Sequence, residues 1–209
     1  MSFNTDLLHA EQVHAQLSGS YSPQAYAHIS PIYQTSTYVL KDFDTAVYLN
    51  QHVDEGFVYT RFGSPSADEL ERKIAHMEHA EAALALASGL GAISTAIMSV
   101  LKSGDHVILG DVIYGCSYTL FAKILCNFGI SYTRVDTTNV EEIEKAIRPN
   151  TTLVYVETPA NPTLKISDIK AISDMVHSYK YITLIVDSTF ASPYLQNALD
   201  LGADLVVHS

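Results

Sequence analysis

Short apolar runs recur along the later two-thirds of the chain at intervals of about 25 residues: Ala82–Ala87, Val107–Leu109, Ile130–Val135, Leu153–Glu157, Ile182–Asp187 and Leu205–His208. Their apolar residues are consecutive instead of alternating. That pattern predicts parallel strands covered by helices on both faces. Helical stretches fit between them at Ala92–Leu101, Ser117–Phe128, Val140–Ile147 and Ser167–His177, and Ser103-Gly104-Asp105 and Phe128-Gly129 mark connections. Ahead of the first run, Leu70, Ile74 and Met77 recur at helical spacing, with Pro65 suited to a first turn and Ser66 with Glu69 forming a capping box. This predicts a helix to about His79. Strands alternating with helices predict a three-layer α/β domain with a mostly parallel sheet.

The first sixty or so residues differ: they are polar and aromatic, with a helical stripe only around Thr5–Gln16. Residues 1–63 therefore read as an arm and residues 64–209 as the large domain. The chain stops directly after a predicted strand with no helix to cover it, which leads to the expectation of a partial chain. Its 209 residues carry 12 Lys+Arg against 23 Asp+Glu, a net charge of −11. Such a balance repels nucleic acid and anionic lipid, so neither is an expected partner, and any bound phosphate should be small and locally cradled. The start, Met1-Ser2-Phe3-Asn4-Thr5-Asp6, lacks the layout of a signal peptide, and no run is long enough to span a membrane. A cytoplasmic location is expected. Two cysteines, Cys116 and Cys126, provide neither a disulfide framework nor a metal set.

Candidate chemistry gathers where the predicted strands end. Ser88-Gly89-Leu90-Gly91 follows the first run and opens a helix, so free N–H groups and the positive helix end would meet an anion there. A dinucleotide fingerprint is an alternative, with Asp111 as the ribose acid, but its third glycine position is Ser94. A plain tight turn is another. Asp187 ends the run Ile182–Val186, where open α/β sheets bind ligands, and it needs a cationic or donor partner such as a protonated pyridine nitrogen, an arginine or a helix cap. Glu157 ends its strand similarly and leads into Thr158-Pro159-Ala160-Asn161-Pro162, a rigid turn presenting Asn161. Tyr114-Gly115-Cys116 sets a ring that could stack on a flat cofactor beside a thiol. Tyr59-Thr60-Arg61 lies in a loop where Arg61 could clamp a phosphate or stay solvated. His76 and His79 lack zinc-protease spacing and read as surface residues.

Taken together, these segments resemble the gamma family of pyridoxal-phosphate (PLP) enzymes of sulfur amino-acid metabolism. The resemblance rests on Pro31-Ile32-Tyr33-Gln34-Thr35-Ser36-Thr37, Tyr59-Thr60-Arg61-Phe62-Gly63, Ser88–Ile93, Glu157–Pro162 and Val186–Pro193, in that order along most of the chain. It implies the fold type I, aspartate aminotransferase-like large domain, followed in the family by a small C-terminal domain that this chain lacks. It also implies roles. Ser88, Gly89 and Leu90 with Ser209 would hold the cofactor phosphate, and Tyr59 with Arg61 would reach the phosphate of a neighbouring subunit. Tyr114 would stack on the ring and help protonate the departing sulfur, Asp187 would keep the ring nitrogen protonated, and Asn161 would contact the ring oxygen. A homotetramer built as a dimer of dimers, with contacts through the N-terminal arm, is implied as well.

Within the family, Tyr114-Gly115-Cys116 is most similar to the members that cleave methionine, which makes Cys116 a candidate active-site residue. The implied reaction is alpha,gamma-elimination of L-methionine to methanethiol, 2-oxobutanoate and ammonia. Cleavage or synthesis of cystathionine, or sulfhydrylation of O-acetylhomoserine, is the alternative on the same scaffold. A nicotinamide-binding dehydrogenase domain and a scaffold without catalysis are the alternatives of other classes. Ser188 replaces the usual Asn after the aspartate, and Leu90 replaces the Met of many gamma-lyases. The lysine that anchors the cofactor in the family is expected three residues beyond Ser209.

Overall fold

The computed structural model describes residues 30–209, so the expected helix over Thr5–Gln16 lies outside the described residues. Two compact units divide the chain, Met1–Ala85 and Leu86–Ser209. In the first, α1 (Phe43–Gln51) starts where Asp42 Oδ1 accepts the Thr45 N–H at 2.8 Å. Side-chain capping of a free first-turn N–H favours a helix start at that point. Helix α2 (Pro65–Glu78) is capped two residues earlier than the Ser66 capping box predicts. Ser64 Oγ accepts the Ala67 N–H at 3.2 Å, with Pro65 in the first turn, while Ser66 Oγ accepts the Tyr33 N–H at 2.9 Å. An antiparallel bridge between Thr37 and Tyr59, flanked by Tyr38 N–H to Val58 O and Thr60 N–H to Ser36 O, ties the early loop together.

The second unit holds α3 (Gly89–Val100), β1 (His106–Gly110), α4 (Gly115–Thr119), β2 (Ser131–Val135), α5 (Val140–Ala146), β3 (Thr151–Glu157), α6 (Ile169–Val176), β4 (Thr183–Asp187) and β5 (Leu205–Val207). All strand pairs are parallel, in the order β2-β1-β3-β4-β5. Every residue of β1 is buried, as are Leu153–Glu157 of β3 and Leu184–Asp187 of β4. Alternate side chains go to opposite faces. Val107, Leu109, Leu153, Tyr155 and Ile185 join Ile93 and Ile97 of α3 and Phe121; Ile108, Val154, Val156, Leu184 and Val186 join Ile143 of α5 and Ile172 of α6. This is the expected three-layer α/β arrangement. Each such fully buried aliphatic side chain contributes about 1.5–3 kcal/mol.

Four further expectations fail. Ala82–Ala87 forms no strand: no described strand pairs with it, Leu84 is 67% exposed, and an apolar run without a ladder partner has nothing to hold it extended. At the outer position, β2 is not covered on both faces, and only Val135 of it is buried. The expected single helix Ser117–Phe128 is instead α4, a wide π turn at Leu120–Ile124 and a 3₁₀ turn at Leu125–Phe128, closed by Gly129 at φ 80°. A side chain at that positive φ would be strained. Finally, α6 starts at Ile169 because Asp168 Oδ1 accepts the Ala171 N–H at 3.0 Å. Among the described residues no helix is long and apolar enough to cross a membrane.

Candidate active site

The carboxyl ends of β3 and β4 present two acids side by side, because Glu157 and Asp187 are register partners and share the face occupied by Tyr155 and Ile185. Both are buried, at 6% and 3% exposure. Buried carboxylates demand donors. Asp187 Oδ2 accepts the Tyr155 hydroxyl at 2.8 Å, and its Oδ1 accepts the N–H and the hydroxyl of Thr189 at 3.1 and 2.6 Å. Three donors leave about one of the roughly four acceptor positions of a carboxylate open. Burial, and then the Asp187 charge, push the Tyr155 phenol well above its ordinary range, so it stays a donor.

Glu157 makes a different pair of contacts. Its Oε2 accepts the backbone N–H of Tyr114 at 2.6 Å and its Oε1 that of Asn161 at 2.8 Å. Burial raises its carboxyl pKa and Asp187 raises it further, while the two N–H donors pull it down. Tyr114 caps α4 with an extended ψ of 133° and is 44% exposed. A side-chain hydrogen bond with Cys116, itself exposed, is the first cause holding the Tyr114 phenol above its ordinary pKa. Asn161 sits half-buried between cis Thr158–Pro159 and cis Asn161–Pro162 peptides.

Next to β4, the chain leaves β5 and reaches Ser209, two residues past Val207, the register partner of Asp187. There it meets the start of α3. A Cβ on Gly89 would fall 2.2 Å from both Cβ and Oγ of Ser209, so only glycine admits this approach. Ser88 Oγ caps the helix by accepting the Gly91 N–H at 3.0 Å. The N–H groups of Gly89 and Leu90, in the first turn, have no intrahelical acceptor and face an anion's side of the helix dipole.

Thus Ser88, Gly89, Leu90, Tyr114, Cys116, Asn161, Asp187 and Ser209 all belong to the second unit, at the end of the sheet where the strands terminate. Tyr59 and Arg61 belong to the first unit, where the Arg61 guanidinium lies 5.1 Å from the Tyr59 ring centre and 5.5 Å from that of Phe62. The residues present fit a phosphorylated pyridine. The Gly89 cradle suits its phosphate, the Tyr114 ring its flat face, and the open position on Asp187 its ring N–H. A dinucleotide fits poorly. No strand feeds the glycine turn, and Asp111, the ribose acid of that reading, has both oxygens 3.0 Å from Lys165 Nζ.

Three contributors escaped the sequence reading: Tyr155, Thr189 and the double contact of Glu157. Tyr155 looks like one more core residue of an apolar strand. Thr189 was legible as a short Asx-type contact two residues after an Asp. Glu157 stands out by its position at a strand end, but its partner Tyr114 is 43 residues away, and no local pattern encodes that.

A family model described as Cys/Met metabolism PLP-dependent enzyme matches residues 9–209. Over 183 residues, 86% of this chain and 45% of the relative, the chain is 46% identical to the L-methionine gamma-lyase of Porphyromonas gingivalis. It is also 46% identical to the cystathionine gamma-lyase of Bacillus subtilis over 179 residues, 86% of this chain and 45% of that protein. Among solved structures, the crystal structure of metB from Corynebacterium glutamicum superposes with a TM-score of 0.86 at 38% identity, covering 100% of this chain and 50% of that one. The chain spans about half the length of the curated relatives it matches.

Proposed function

Since the chain belongs to the Cys/Met metabolism PLP-dependent enzymes, we propose that it is the N-terminal part of a carbon–sulfur lyase that eliminates methanethiol from L-methionine, leaving 2-oxobutanoate and ammonia. The family establishes the cofactor as pyridoxal 5'-phosphate and the class as sulfur amino-acid metabolism. When bound, that cofactor supplies an electron sink for carbanions next to an amino group. Ser88, Gly89, Leu90 and Ser209 hold its phosphate through N–H groups and hydroxyls. Asp187 keeps a proton on the ring nitrogen, and Tyr155 and Thr189 fix the carboxylate that does so. Asn161 contacts the ring oxygen. Tyr59 and Arg61 serve the phosphate of a neighbouring subunit.

The observation that carries the finer reading is the Tyr114–Cys116 pair. The side-chain hydrogen bond with Cys116 holds the phenol above its ordinary range, which favours its protonated form, the form that can donate to a departing sulfur. Use of Tyr114 as a base would need the opposite shift. The large apolar side chains exposed in the first unit, with Val39 at 97% and Phe43 at 80%, support an arm (residues 1–63) that packs on other subunits of a cytoplasmic homotetramer. The test is direct. Full-length protein loaded with the cofactor is given L-methionine, and methanethiol and 2-oxobutanoate are assayed. Release of both supports the reading, whereas turnover of cystathionine or O-acetylhomoserine alone moves the protein to the cystathionine-cleaving, cystathionine-forming or sulfhydrylating branch.

A further inference from the structure

Glu157 is an expensive residue to keep where it stands. It is a 6% exposed carboxylate in register with a second buried carboxylate, Asp187, and the two repel. Neither of its partners is a cation. Both are backbone N–H groups, and they belong to two separate loops: the one after β1 that carries Tyr114 and the one after β3 that carries Asn161. Nearby connections are held by other means. Thr158 N–H donates to Asp187 O at 3.1 Å, Ser188 N–H to Val207 O at 2.9 Å, and Gln196 Nε2 to Thr158 O at 2.8 Å.

The Asn161 loop is also closed by the Ala160–Lys165 bridge, and Lys165 ties it to Asp111 and Asp136. Those contacts fix where the loop begins and ends. They do not fix Asn161 itself or the backbone under the Tyr114 ring. A carboxylate with one oxygen on each N–H does so, since its two oxygens are rigidly spaced and a charged acceptor strengthens each bond.

We infer that Glu157 is a positioning residue: its carboxylate brackets the backbones of Tyr114 and Asn161 and so sets the spacing of the two side chains that flank the cofactor ring. The inference rests on the proposed function for its purpose, but the bracket itself is a property of this chain alone.

The experiment compares the cofactor-free full-length wild-type protein with its Glu157→Ala and Glu157→Gln variants, reading amide hydrogen exchange residue by residue and affinity for pyridoxamine 5'-phosphate by fluorescence. In Glu157→Ala the Tyr114 and Asn161 amides should exchange about tenfold faster or more, while those of Val154, Val156 and Ile185 keep their wild-type rates. Glu157→Gln keeps one carbonyl oxygen and should release one of the two amides. Affinity for pyridoxamine 5'-phosphate should fall about tenfold in Glu157→Ala and less in Glu157→Gln. Unchanged exchange at both amides overturns the bracket. Uniform acceleration through β3 and β4 overturns it too, as a merely structural role would give that result. Released amides with undiminished affinity overturn the positioning role while leaving the proposed function standing. Full-length wild-type protein that binds no pyridoxamine 5'-phosphate overturns the proposed function and the positioning role with it, whatever the amides do.

Discussion

The two ends of the same sheet bury polar side chains in opposite ways. At the amino ends, His106 is fully buried, its Nδ1 2.7 Å from Thr151 Oγ1 and its Nε2 2.9 Å from Thr133 Oγ1, and Arg148 donates to that same Thr133 hydroxyl at 2.8 Å. Both ring nitrogens have partners, so the network is closed. At the carboxyl ends, Asp187 retains an acceptor position, Gly89 and Leu90 keep first-turn N–H groups, and Tyr114 is nearly half exposed. Polarity alone therefore does not mark a site. Unspent hydrogen-bonding capacity beside a buried charge does.

Substituting across the two ends should separate activity from stability. In the full-length enzyme, Asp187→Asn should lower turnover about a thousandfold, because an amide cannot hold a proton on the ring nitrogen electrostatically. His106→Ala should leave turnover per folded molecule unchanged and cost about 3 kcal/mol by urea denaturation, since it opens a cavity and removes two buried hydrogen bonds, leaving each threonine oxygen only its Arg148 donor. If His106→Ala reduced turnover of folded protein as much as Asp187→Asn does, the contrast between the ends would be lost.

A pH titration sharpens the same contrast. Burial, with help from Arg148, lowers the His106 pKa from 6.5 to about 4. Between those values the unfolded chain binds the extra proton, so stability is complete above about pH 6.5 and falls as pH drops to about 4, by on the order of 3 kcal/mol. Urea midpoints measured from pH 7.5 to 4 should show that slope in the wild type and lose it in His106→Ala. A slope that survives the substitution assigns the acid sensitivity to other groups.

How far the sequence discloses these ends follows from the range of the contacts involved. The sheet was legible because parallel strands are apolar on consecutive residues, and Asp187 was legible as the first acid after such a run. Asp42 before α1 was a readable cap that polar surroundings concealed. Ala82–Ala87 misled because composition describes a strand's faces and says nothing about a ladder partner. The Glu157 bracket and the Ser209–Gly89 approach join residues far apart in sequence, so only the fold reveals them.

The Ser209–Gly89 approach gives the third prediction. In most helices Gly→Ala is favourable by about 0.5–1 kcal/mol. At Gly89 the added methyl lands 2.2 Å from Ser209, so Gly89→Ala must push the serine away. Affinity for pyridoxamine 5'-phosphate should drop about tenfold, while the melting temperature changes by a few degrees at most. Gly104→Ala provides the contrast. No heavy atom lies within 4 Å of its would-be Cβ, but its φ of 95° strains an alanine, so it should lose stability without losing affinity. Equal affinities in the two variants would remove the phosphate cradle from the proposed site.

The smallest effect should come from Lys165, which lies at the carboxyl ends but within a closed set of charges. Its Nζ is 3.0 Å from Asp111 and 2.8 Å from Asp136, and it holds the Asp136 carboxyl down to about 2, its hydrogen bond being the first cause. A depressed carboxyl contributes stability above its unfolded pKa of 3.8 and loses it as pH falls toward 2. All three side chains are partly solvent-exposed, which limits the gain to about 1 kcal/mol or less. Lys165→Met should therefore shift the urea midpoint slightly at pH 7 in low salt. The shift should shrink further in 0.5 M salt, on the order of the Debye screening expected there. Turnover of the full-length enzyme should fall less than about threefold, since the Glu157 contact still anchors Asn161. A loss comparable to that of Asp187→Asn would mean that closed charges at this end are as essential as open ones, and the distinction between the two ends would then rest on location instead of on unspent hydrogen bonds.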